Sequence, residues 1–152
     1  MSELDQIYNM RILELAAAIP RTERLARPDA TATAHSKLCG STITVDLVMD
    51  GGKVADFGQS VKACLLGQAA ASVVGREIVG TDAAEFAAVA AVMRAMLKEG
   101  GPPPIGRWAD LAVLEPVRDY KARHASTLLI FEAIEKAMAE VGARRVGLSA
   151  AQ

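Results

Sequence analysis

The feature that most constrains the fold is a change of hydrophobic period at residue 42. From there alternate residues are apolar, with Ile43, Val45 and Leu47 on one side of an extended chain, which is typical of a strand with one buried face. The sequence DGG at 50–52 favours a tight turn because glycine tolerates positive φ. Residues 54–61 read as a returning strand, so the pattern predicts an antiparallel hairpin.

Helical patterns surround this hairpin. Apolar residues recur at three- and four-residue spacing from Tyr8 to Ile19, which predicts an N-terminal helix capped by Ser2 and ended by Pro20. Residues 21–37 read as a loop with one edge strand near 30–35.

The chain beyond Cys64 reads as helical. The pattern predicts one helix from Cys64 to Gly80, a second one capped by Thr81, a break at 98–106, a short helix ended near Pro116 and a long helix over 126–141. We therefore expect an α+β fold: a small antiparallel sheet of about three strands packed by helices on one face, with an N-terminal helix and a helical C-terminal half.

Length and composition narrow the classes of function. The 152 residues suit a single domain over 1–152, with 143–152 as a flexible tail. A net charge of −1 and 4% aromatic residues give no case for nucleic acid or an anionic membrane as partner. No apolar run approaches the roughly 20 residues that span a bilayer. The acidic start is unlike a secretory signal, so we expect a cytoplasmic location and no structural disulfide.

The two cysteines, Cys39 and Cys64, lie at the two ends of the predicted hairpin. Cys39 precedes the first strand in a loop, where Gly40 leaves room for close approach to a ligand. Cys64 begins a helix, whose positive dipole end favours a thiolate. A returning hairpin places both cysteines at the same end of the sheet, where they could act as metal ligands or reactive thiols. The alternative is that both are small, inert, buried residues.

Three stretches carry a resemblance to a known family: KLCGSTITVDLVMDGGKVADFGQSVKACLLGQAAAS, WADLAVLEPVRDYKARHASTLLIFEAIEKAM and IYNMRILELAAAIPR. Together they resemble the iron–sulfur cluster assembly scaffolds of the NifU N-terminal, IscU and SufU type over about residues 7–140. The resemblance implies the SufE/NifU-like fold. It also implies that the two thiols converge with a third to hold a metal or a nascent cluster.

The ligand set that the resemblance implies is only half present. Of its four ligands, the first and second cysteines fall on Cys39 and Cys64, but the aspartate falls on Ser41 and the third cysteine on Ser126. The lysine or histidine that precedes the third cysteine in the family falls on Ala125. A serine hydroxyl stays protonated near neutral pH and is a poor ligand for iron or zinc beside thiolates.

Two histidines are candidate substitutes for the missing ligands. His124 would lie on the same side as Ser126 if residues 124–126 were extended, because side chains two apart share one face of an extended chain. The alternative for His124 is an exposed position in a charged loop. His35 is a second candidate, since a loop between it and Cys39 could fold back.

The resemblance therefore implies a binding protein and not an enzyme: a scaffold or carrier of an iron–sulfur cluster, iron or zinc. Its partners would be a cysteine desulfurase and other cluster-assembly proteins. A homodimer could supply four thiolates from two copies of Cys39 and Cys64. Two alternatives stay open: a regulatory member that binds no cluster, and a thiol that accepts persulfide sulfur from a desulfurase.

Overall fold

The computed structural model of the chain describes residues 8–151, with side chains over 8–144. In chain order its elements are α1 Met10–Ala17, β1 Ala30–His35, β2 Thr42–Asp50, β3 Lys53–Lys62, α2 Leu65–Glu77, α3 Ala83–Glu99, two 3-10 segments at Gly106–Asp119 and Lys121–Arg123, α4 His124–Thr127 and α5 Leu129–Ala151. The α+β class, with an N-terminal helix and a helical C-terminal half, is confirmed.

The sheet has three antiparallel strands in the order β1-β2-β3. The predicted alternation holds, because Ile43, Val45 and Leu47 are all fully buried on the face that packs against helices. Helix α5 covers β1 and β2 on that face, and α2 packs against β3. Burial of these apolar side chains is the main source of stability for a sheet of this size.

The other face of the sheet is covered in part by the segment that follows α1. Asp46 alternates with the buried apolar residues and so points to that face, where it is fully buried although outward positions of such a strand are commonly solvent-exposed. Its carboxylate accepts hydrogen bonds from Arg24 Nε at 2.6 Å, Thr31 Oγ1 at 2.5 Å and the Leu25 amide at 3.0 Å. Burial alone would raise the pKa of Asp46, but these donors and the Arg24 charge lower it below its usual range.

The caps of two helices differ from those predicted. Ser2 lies outside the described residues, and the side chain that caps α1 is Asn9, which accepts from the Ile12 amide at 3.0 Å. The cap of α3 is Asp82, which accepts from the Glu85 amide at 2.7 Å, so the prediction of Thr81 is wrong by one residue. Both observed caps are Asn or Asp, which satisfy free amides at a helix start.

The segment predicted as a short helix is instead a run of 3-10 turns over Gly106–Asp119, with Pro116 inside it. Its buried residues recur every three positions, at Trp108, Leu111, Leu114 and Val117, which matches the three residues per turn of a 3-10 helix. The final helix is longer than predicted and continues to Ala151. No helix in the described part of the chain is both long and apolar enough to cross a membrane.

Candidate functional site

Cys39 lies in the loop at residues 36–41, which connects β1 to β2. The loop is closed by hydrogen bonds from the Ser36 amide to the Ser41 carbonyl at 2.8 Å and from the Gly40 amide to the Ser36 carbonyl at 2.9 Å. Gly40 has a φ of +72°, which favours glycine, and no atom of the chain lies within 4 Å of the place of a Cβ, so its role beside a ligand stays a prediction. The loop therefore holds the exposed Cys39 thiol in solvent.

Cys64 lies at the same end of the sheet, because Thr42 at the start of β2 pairs with Lys62 at the end of β3. It is the N-cap residue of α2, as the sequence indicates, and it is half-buried. Gln68 fixes this junction by donating to the Ala63 carbonyl at 2.8 Å. The Gln68 side chain is thus occupied in holding the turn that leads into the helix.

Helix α4 brings Ser126 to the two cysteines. The Cys64 thiol donates to Ser126 Oγ at 3.4 Å, and Ser126 Oγ donates to the Arg123 carbonyl at 3.2 Å. The approach depends on Gly67, because a Cβ there would lie 2.9 Å from the Ser126 carbonyl oxygen and 2.9 Å from Ala63 Cβ. A residue with any side chain at 67 would push α4 away from α2.

These elements enclose an open pocket of about 310 Å³, which we call the thiol pocket. It is lined by Leu38, Cys39, Cys64, Ala122, Arg123 and Ser126. The structure thus brings the two cysteines together with Ser126, the residue on which the resemblance places a third cysteine. Their role as ligands stays a prediction.

The Cys39 thiol is surrounded by hydroxyl groups. Its sulfur lies 3.5 Å from Ser36 Oγ and 2.9 Å from Ser41 Oγ, and both serines are buried. Hydrogen bonds with Ser36, Ser41 and Ser126 lower the pKa of Cys39 to about 7, against a smaller opposing effect of burial. A large fraction of Cys39 is therefore thiolate at neutral pH, which is the form that binds metals and reacts as a nucleophile.

Two contributors to the thiol pocket are not evident from the sequence. Ser36 bonds Cys39 only because the loop closes on itself, which the spacing of the two residues does not reveal. Arg123 lines the pocket, and its guanidinium lies 5.5 Å from the centre of the Tyr8 ring. This cation–π contact holds the positive charge of Arg123 at the rim of the thiol pocket.

His124 does not share the thiol pocket with Ser126. The extended conformation on which that placement depended is not present, since residues 124–126 begin helix α4 and side chains two apart on a helix diverge. The His124 ring is buried, not exposed in a loop, and its Nε2 lies 3.1 Å from the carbonyl oxygens of Val117 and Arg118. It lines a different pocket.

His35 does not line the thiol pocket either. It is the last residue of β1, and its Nδ1 lies 2.9 Å from Thr42 Oγ1 across the strand pair. Among the described residues no group of three or more His, Cys, Asp and Glu side chains is placed to hold a metal ion. One described chain therefore offers two thiols and neighbouring hydroxyls at this site, which is half of a four-ligand set.

Solved structures share the fold of this chain over most of its length. The chain is 55% identical to a nitrogen-fixing NifU-like protein (N-terminal) from Brucella abortus, with a TM-score of 0.91 over 93% of this chain and 98% of that one. It is 19% identical to a candidate iron–sulfur cluster assembly scaffold protein for the SUF system from Fervidobacterium islandicum AW-1, with a TM-score of 0.80 over 88% and 98% of the two chains. The second likeness shows the fold alone. No family model and no curated protein matches the chain.

The close approach at Gly67 leads to a first prediction. We expect Gly67→Ala to lower the free energy of unfolding by about 1–3 kcal/mol, as overpacking does, because the new methyl group meets the Ser126 carbonyl. The matched control is Gly142→Ala in α5, where no atom lies within 4 Å and alanine should stabilise the helix by up to about 1 kcal/mol. Urea unfolding measures both. Equal stability of the two variants would contradict the assigned contact.

The hydroxyl groups around Cys39 lead to a second prediction. In a Cys64→Ser background, we expect the rate of alkylation by iodoacetamide to rise with pH through a midpoint near 7, because only the thiolate reacts. Ser36→Ala and Ser41→Ala should each move the midpoint upward, since each removes a hydrogen bond that favours the thiolate. Ser60→Ala, away from the site, should leave it unchanged. A midpoint at the ordinary thiol value of about 8.5 in every variant would overturn this account.

Proposed function

The chain belongs to the NifU-like N-terminal family, and on that premise we propose that it is a scaffold or carrier on which iron–sulfur clusters are assembled. The observation that carries the proposal is the placement of Cys39 and Cys64 at one open pocket, although they come from different loops. The cluster is then the cargo of this protein, held by thiolates and passed to recipient proteins. Cys39 and Cys64 are its proposed ligands.

The donor set of one chain does not fit a complete cluster. A [2Fe–2S] cluster in proteins is commonly held by four thiolates, and one chain supplies two. The neighbouring hydroxyls of Ser41 and Ser126 remain protonated near neutral pH and are poor ligands for iron. We infer that two copies of the chain share a cluster, with Cys39 and Cys64 contributed by each copy.

The exposure of the site supports this arrangement. Cys39 is exposed at the tip of its loop, and Leu38 beside it is 78% exposed. A second chain can therefore approach the thiols without rearrangement of either core. The same openness suits a carrier, because a cluster that is assembled here has to leave again.

The lowered pKa of Cys39 supports a related role, that of a sulfur acceptor. A partly ionised, exposed thiol can take the terminal sulfur of a desulfurase persulfide, so that the donor cysteine leaves as a thiolate. We propose a cysteine desulfurase as the partner that supplies sulfur in either case. Persulfide transfer needs only one thiol, whereas metal binding needs both, so single cysteine variants separate the two roles.

Restoring the missing donors gives a third prediction. We expect Ser41→Asp with Ser126→Cys to raise the affinity for zinc by about tenfold or more, because four ligands then converge on one chain. The matched control is Ser60→Asp with Ala139→Cys, which adds the same groups off the site, since Ala139 lies in α5 and lines a different pocket. Competition with a chromogenic chelator at pH 7.5 measures both. If the on-site variant binds zinc no better than the control, Ser126 does not occupy the position of a ligand.

A further inference from the structure

A second pocket lies on the other side of helix α4 from the thiol pocket. Its volume is about 380 Å³, which falls within the range of small-molecule sites. It is lined by Leu97, Lys98, Arg118, Lys121, His124 and Ala125. We call it the cationic pocket. Leu97 is its most deeply buried apolar residue, and the charged side chains come from two separate parts of the chain.

The charges of this pocket are poorly balanced. Arg118 Nη2 lies 3.4 Å from Glu115 Oε1, in a pair that is well exposed on both sides. Lys98 and Lys121 have no acidic partner within 4 Å among the described residues. Three cations line one concavity and none of its lining residues is acidic, in a chain whose net charge is −1. Concave surfaces of one sign focus the field and attract counter-ions.

The pocket is held in shape before any ligand arrives. His124 is buried, and its Nε2 lies 3.1 Å from the carbonyl oxygens of both Val117 and Arg118. Because both neighbours are acceptors, Nε2 carries the hydrogen of this bond. The bond ties the segment that bears Arg118 to helix α4, so Arg118 and Lys121 project from an anchored backbone. Preorganised donors lose less entropy when they bind.

We infer that the cationic pocket binds a small multivalent oxyanion that carries phosphate or carboxylate groups. Arg118 offers a planar fork of donors that suits either group, and Lys98 and Lys121 add compact charges. The inference goes beyond the proposed scaffold role and uses neither cysteine. The two pockets share helix α4, with His124 and Ala125 at one and Ser126 at the other.

Calorimetry on the full chain, stripped of metal and kept reduced, tests this inference. The probes are pyrophosphate and citrate, with acetate as the monovalent comparison, all at one fixed ionic strength. We expect saturable 1:1 binding of at least one multivalent probe, and none of acetate. Arg118→Gln and Lys121→Gln should each weaken it by about tenfold or more, since each removes a charge-assisted hydrogen bond. Urea unfolding of each variant confirms that the fold is kept.

Lys53→Gln is the matched control, because Lys53 is an exposed lysine at the start of β3 and lies outside the pocket. Its binding should equal that of the parent. Binding of pyrophosphate alone would identify a phosphate ligand, and binding of citrate alone a polycarboxylate. Absence of saturable binding for both probes would overturn the inference. So would an equal loss in Lys53→Gln, which would mean a nonspecific response to net charge.

Discussion

The antiparallel pairing of β2 with β3 is the constraint on which the thiol site depends. It sets Thr42 opposite Lys62, so the loop before β2 and the helix after β3 lie at the same end of the sheet. Cys39 and Cys64 are thereby neighbours in space although a full hairpin separates them in sequence. Gly67 allows helix α4 to complete the site, since its missing side chain leaves room for the backbone of Ser126.

Serine stands at two positions where a ligand is expected, and each hydroxyl lies within hydrogen-bond distance of a thiol. Ser41 Oγ lies 2.9 Å from the Cys39 sulfur, and Ser126 Oγ lies 3.4 Å from the Cys64 sulfur. At the two positions where the resemblance implies ligands, the serines of this chain hydrogen-bond the two thiols. For Cys39, the hydrogen bond with Ser36 and then that with Ser41 lower the pKa to about 7, which favours the thiolate that metal binding or sulfur transfer requires. The site thus has two candidate ligands in place of four, and the pKa of one of them, Cys39, is lowered.

Much of this arrangement is predictable from the sequence. The period of two in β2 and the glycine turn determine the sheet, and with it the convergence of the cysteines. Three features depend on tertiary packing and are not predictable in this way: the burial of Asp46 under a loop, the bond between Ser36 and Cys39, and the direction of His124. The 3-10 segment could have been predicted from the sequence, because its apolar residues from Trp108 to Val117 recur at every third position, which is the period of a 3-10 helix.

We propose that two chains share one cluster through four cysteines. Native mass spectrometry after anaerobic reconstitution with iron and sulfide tests this sharing, because it reports the number of clusters and of chains together. We expect one [2Fe–2S] cluster on a species of two chains, and its loss in both Cys39→Ser and Cys64→Ser. A cluster retained on single chains, or retained after either substitution, would contradict shared ligation. Failure of the parent chain to hold any iron and sulfide would contradict the scaffold role itself.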